Sequence, residues 1–316
     1  MHPAARPRYD RPLPAVPEPS HRRSPLFGSA AKVAATAALC IGAGLVAERA
    51  LQHQPRRPTA TRLVGSGATV LAFSGLTDSA MEHHRAYFAR RSMYAAPTVS
   101  ALALIAAVRA ADPDRPVSRT GQTIFATAAL TGLIGLGFHA YNVGKRPGGY
   151  RLENLFYAAP LGAPGAVSFA GLFGLAADRV RRHPDPDTGR ALALLAALGL
   201  LGTTAEAGLL HFRGAFQNPH MYLPVTLPPL TAAVLAAAAW QPDPGTIRTA
   251  RLLSAATAAL GVAGSVFHAY GIHRNMGGWY NWRQMLLQGP PLPAPPGFTG
   301  IALAGLGALL LLEQRP

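Results

Sequence analysis

Two stretches of the chain carry the same ionisable residues at the same spacing. Asp78-x4-His83-x-Arg85 and Glu206-x4-His211-x-Arg213 lie 128 residues apart. Two further histidines, His139 and His268, each stand in a Phe-His-Ala-Tyr tetrapeptide, 129 residues apart. A neutral imidazole from each of two helices can ligate haem iron. Imidazoles with carboxylates can instead hold a non-haem metal, here drawing on Asp78, Glu82, His83, His139, Glu206, His211 and His268. The carboxylates speak for the metal. Against it, the apolar segments have no Glu-x2-His or His-x3-His pair, and Asp78 and His83 fall about 140° apart around a helix. Haem b is therefore the preferred cofactor and a non-haem metal the second. Arg85 and Arg213 complete the cofactor-binding set with the four histidines, and Asp78 and Glu206 are the candidate metal ligands. Two other readings stand beside these. Asp78 and Glu206 could serve proton or substrate passage in a transporter or proton-coupled channel, or the histidines could simply bond loop backbone and lipid headgroups in a non-catalytic membrane scaffold for a partner enzyme.

The segments that position these residues are apolar. Charged residues make up 14% of the chain, well below the roughly 25% of soluble proteins. They fall in short clusters between long uncharged runs, which excludes a disordered chain, a disulfide scaffold and an ordinary soluble enzyme. Mean hydropathy is only +0.18 because Ala and Gly supply much of the apolar content. Lys and Arg number 29 against 14 Asp and Glu, but the arginines flank apolar segments. That placement fits contact with membrane lipids and gives no reason to expect nucleic acid. Cys40 is the single cysteine, so no internal disulfide forms.

Residues 1–25 read as a disordered, basic, Pro-rich tail. Residues 26–51 read as an extra N-terminal membrane helix, and eight further spans follow at about 63–88, 94–110, 120–144, 164–180, 190–216, 222–240, 247–272 and 297–312. Ordered matches join the first four of these to the last four. Met93-Tyr94 falls on Met221-Tyr222, Arg119-Thr120 on Arg248-Thr249, and Gly148-Gly149-Tyr150 on Gly277-Gly278-Trp279. At a shift of 131, the stretch Pro160 to Pro164 falls on Pro291 to Pro295.

The expected fold is therefore all-α: a polytopic helical membrane protein, a tandem repeat of two four-helix units, 62–183 and 190–316, plus the N-terminal helix. The four spans of each unit are called a, b, c and d. An even number gives both units the same orientation, with a pseudo-two-fold axis along the membrane normal. Spans a and c run the same way, which puts all four histidines near one membrane face. Ionisable groups are costly against lipid, so spans a and c are expected inside and spans b and d outside. Phe88, Tyr94, Phe216, Tyr222, Tyr150 and Trp279 are expected in the interfacial aromatic belt.

The segment from Glu206 to Tyr222, with Phe267-His-Ala-Tyr, Gly277-Gly-Trp and Pro290-Pro-Leu-Pro-Ala-Pro295, resembles an uncharacterised family of bacterial multi-pass membrane proteins. The likeness covers mainly 190–316. The first unit departs from it, with Arg90-Arg91 where Asn218-Pro219 stands and no double proline. The resemblance implies polytopic helices in a bacterial inner (plasma) membrane. It also implies company with a flavin-dependent dehydrogenase, which would suit an electron-transfer subunit.

Overall fold

A computed structural model describes residues 26–275, 277–281, 283, 287 and 289–313. The tail expected over 1–25 lies outside the described residues. Among those described, all regular structure is helical. The helices are α1 (Leu26–Gln52), α2 (Arg56–Arg85), α3 (Ala95–Ala110), α4 (Arg119–Gly144), the short α5 (Leu152–Tyr157), α6 (Ala163–Arg182), α7 (Pro186–Arg213), α8 (Leu223–Trp240), α9 (Pro244–Asn275) and α10 (Pro296–Leu312). A 3-10 turn precedes α3 at Arg91–Tyr94 and α8 at Pro219–Tyr222.

Each expected span is a helix, with ends close to those read from the hydropathy pattern. The largest difference is at α2, which begins at Arg56 and not near 63. Pro58 sits in its first turn, where the missing N–H removes no helical bond. Local signals set other boundaries. Ser118 caps α4 by accepting the Gly121 amide, and Asp185 caps α7 by accepting the Thr188 amide. Pro228 and Pro229 lie inside α8, where each removes a backbone bond.

Six helices among the described residues are long and apolar enough to cross a membrane: Ala30–Leu51, Arg91–Ala110, Arg119–Gly144, Pro186–Arg213, Pro219–Trp240 and Pro244–Asn275. They point to a multi-pass membrane protein. The three other long helices, α2, α6 and α10, fall outside that class for different reasons. α10 has only 17 residues, whereas α2 and α6 carry several charges. All three are rich in buried positions. A helix wrapped by other helices meets little lipid, so it can be short or charged.

The layering corrects an expectation. Three helices form the centre, spans a and d of the first segment and span d of the second: α10 packs on α2, α7 and α9, and α6 packs on α2 and α4. Span c lies outside in both segments, with Leu130, Leu133 and Ile134 of α4 and Val262 and Val266 of α9 exposed, and α7 likewise exposes Leu194, Leu198 and Leu201. Small residues decide this. A Cβ on Gly67 of α2 would strike the Gly300 carbonyl of α10, and one on Gly171 of α6 would strike the Phe125 carbonyl of α4. Where lipid tails are as apolar as leucine, close backbone approach of this kind drives helix association. At the end of the bundle away from the histidines, Glu313 joins Arg251 at 2.8 Å and Arg56 at 3.7 Å.

Candidate functional site

His83 and His211 sit in the last turns of α2 and α7, and His139 and His268 sit near the ends of α4 and α9. All four make the same kind of bond. His83 Nδ1 meets the Met93 carbonyl, and His211 Nδ1 meets the Met221 carbonyl at 2.9 Å. His139 Nδ1 meets the Pro160 carbonyl at 2.6 Å, and His268 Nδ1 meets the Pro291 carbonyl at 2.9 Å. A carbonyl oxygen can only accept, so each Nδ1 is the protonated donor. In the neutral ring, Nε2 then keeps its lone pair. All four residues are half-buried.

The turn after α2 matches the turn after α7. Tyr87 and Phe88 have φ of 56° and 46°, and Ala215 and Phe216 have 55° and 46°. Consecutive left-handed non-glycine residues are strained, by about 1–2 kcal/mol each. The strain places a ring. Phe88 stacks on Tyr94 at 4.4 Å and meets His83 edge-on at 6.1 Å. Phe216 stacks on Tyr222 at 4.6 Å and meets His211 edge-on at 6.1 Å. Phe88 and Phe216 are thus half-buried packing partners of the histidines. Tyr94, Tyr222, Tyr150 and Trp279 are exposed, as belt residues would be. Sequence reasoning missed the turns, whose signal was only a matched Phe.

The double glycines have positive φ: 88° and 60° at Gly148 and Gly149, and 87° and 84° at Gly277 and Gly278. They let the chain fold back, and Tyr150 Oη donates to the Ala140 carbonyl at 3.0 Å.

Among the described residues, the arginines make no hydrogen bond to the matched carboxylates. Arg213 Nη1 donates to the Phe156 carbonyl at 2.7 Å, with its guanidinium over the Tyr157 ring. Arg85 pairs with Glu82 one turn away and donates to the Gly289 carbonyl at 3.1 Å. Each arginine therefore reaches from its own segment to the loop before span d of the other.

The acidic residues differ. Glu206 Oε2 accepts the Gly162 amide at 2.9 Å, just before α6. Asp78 accepts no hydrogen bond among the described residues and interacts electrostatically with Glu82, Arg85 and Glu206. Glu206 also interacts with His139. His83 is within electrostatic range of His139, and His211 of His268.

Among the described residues, no three His, Cys, Asp or Glu side chains converge as they would around a metal ion. The non-haem set built on Asp78, Glu206 and the histidines is therefore without a ligand cluster. Comparison with known proteins gives no matching family model, no matching curated protein and no matching solved structure.

Proposed function

We propose that the protein is a membrane electron-transfer subunit that binds haem b through His83 with His139 and His211 with His268. The observation that carries this reading is the bond at Nδ1. All four imidazoles donate it to a backbone carbonyl, which sets the tautomer and leaves Nε2 as the basic nitrogen. Metal-ligating histidines are typically held in this way. Haem would supply one-electron exchange, and a membrane-associated dehydrogenase would supply the electrons.

The proposal includes two tandem four-helix units about a pseudo-two-fold axis, in a bacterial inner membrane. The parallel bonds of His83 and His211, and of His139 and His268, support that arrangement. It also keeps the resemblance to the bacterial multi-pass family.

The test is an optical spectrum of protein expressed with haem supply and purified in detergent. Soret and α bands on dithionite reduction are expected. They should weaken in His83→Ala and in His211→Ala, vanish in the double variant and persist in His84→Ala. A wild-type preparation without these bands overturns the reading.

A second reading has its own observation. Asp78 lacks a hydrogen bond among the described residues, yet lies in electrostatic range of Glu206 from the other segment. Paired carboxylates at the junction of two parallel repeats would suit a proton-coupled transporter or channel. That reading expects Asp78→Asn to abolish proton flux into dye-loaded liposomes while the protein remains folded. Unchanged flux removes it.

A further inference from the structure

Helix α1 has no sequence match elsewhere in the chain, and it lies in a groove along α9, beside the turn that opens α8. One side of it makes the contact, through residues four apart. Thr36 Oγ1 lies 3.2 Å from His220 Nε2. Cys40 is buried with Ala256 and Leu260, beside Leu223 and Leu227. A Cβ on Gly44 would meet the Leu252 carbonyl oxygen at 2.8 Å. Glu48 closes the row with an ion pair to Arg248 at 3.3 Å.

The matched groove lies between α3 and α4, and among the described residues nothing covers it. Leu223 and Leu227 correspond to Ala95 and Val99, and Leu252, Ala256 and Leu260 to Thr123, Thr127 and Thr131. Where Ala256 and Leu260 are buried, Thr127 is exposed and Thr131 half-buried. Neither threonine hydroxyl has a hydrogen bond among the described residues, whereas Thr123 bonds back to the Arg119 carbonyl. Arg248 corresponds to Arg119, whose guanidinium is exposed and makes no ion pair among the described residues.

We propose that the α3–α4 groove is the docking site for a transmembrane helix of another membrane protein, antiparallel to α4, with a carboxylate facing Arg119. Three features define that helix. Small residues at four-residue spacing let it approach α4 as Gly44 lets α1 approach α9. A hydrogen-bonding side chain opposite Thr127 and Thr131 gives their hydroxyls partners inside the bilayer. Charge complementarity supplies the acidic end, because the matched arginine already holds Glu48. A second copy's α1 is a poor occupant, since its acid is committed to Arg248. The inference rests on helix packing and is independent of haem.

The test places a photo-crosslinking amino acid at Thr127 in intact cell membranes, with Leu136 on the opposite side of α4 as the control position. The expected result is one discrete protein adduct from position 127 and none from 136. Peptide mapping should place it on a transmembrane helix with small residues four apart and an Asp or Glu at the Arg119 level. Arg119→Glu should cut the adduct roughly tenfold. Replacing the partner's carboxylate with Lys should restore it. Arg119 is exposed and makes no ion pair among the described residues, so that variant should keep its wild-type gel-filtration profile. Adducts to lipid alone, to a second copy of this chain, or to a helix without the carboxylate overturn the proposal, as does a yield indifferent to Arg119→Glu.

Discussion

Glu206 of α7 accepts the amide of Gly162 at 2.9 Å and so caps α6, the central helix of the other segment. The position matched to Gly162 is Pro293, which has no N–H, and Asp78 makes no corresponding bond among the described residues. Two sequence-matched acids therefore hold different positions: one is a structural cap, the other a carboxylate without a donor. Glu206→Ala should destabilise the protein by about 1–3 kcal/mol, because a charge-assisted bond is lost and its donor left unpaired. Asp78→Ala should cost less. Thermal unfolding in one detergent checks the order, and a larger loss at Asp78 would contradict it.

The α2–α10 crossing tests the correction to the layering. Gly67→Ala should destabilise by about 1–3 kcal/mol, since its methyl would meet backbone atoms of Gly300 and Ala304 that cannot move independently. Gly137→Ala on α4 has open space around its Cβ and should be neutral or slightly stabilising, because helical glycine is entropically costly. Unfolding midpoints of the two variants should move apart. A neutral Gly67→Ala would mean that α2 and α10 do not cross so closely.

Acid should loosen the start of α7 before its middle. The Thr188 amide beside the Asp185 carboxylate holds that group below the usual carboxylate range. A group with a lowered folded pKa stabilises at pH above its unfolded value of about 3.9, and its contribution is lost as pH falls through the folded value. The protection of the Thr188 and Gly189 amides from hydrogen exchange, corrected for the intrinsic pH dependence, should therefore be flat above about pH 5 and fall, relative to mid-helix amides, below about pH 4. Asp185→Asn keeps a capping oxygen that does not titrate in this range and should remove the acid-dependent part. An unchanged acid profile in that variant would assign the loosening elsewhere.

Much was legible in the sequence because the signals are local or repeated. Apolar runs between arginine clusters marked the helices, though not the start of α2, which lies ahead of its apolar run. The 128-residue spacing singled out Asp78, His83 and Arg85 with their counterparts. Which atom each meets was not legible, since the partners lie in loops or in the other segment. His139 bonds to Pro160, 21 residues on, and Arg85 to Gly289, 204 residues on.

Which helices lie inside depended on the tertiary structure for a physical reason. Hydropathy reports transfer from water to lipid, and α10 and α4 are both apolar enough to suit either lipid or protein. Their placement follows from backbone approach at Gly67, Gly300 and Gly171, a property of two surfaces together. The sequence by itself determined the helical class, the span boundaries and the matched ionisable residues. Only the tertiary structure decided that α2, α6 and α10 are central, that Glu206 caps α6 while Asp78 lacks such a bond, and that α1 covers one of two matched grooves. Those outcomes turn on which backbone groups come within bonding or packing distance, and residues far apart in the chain set that distance.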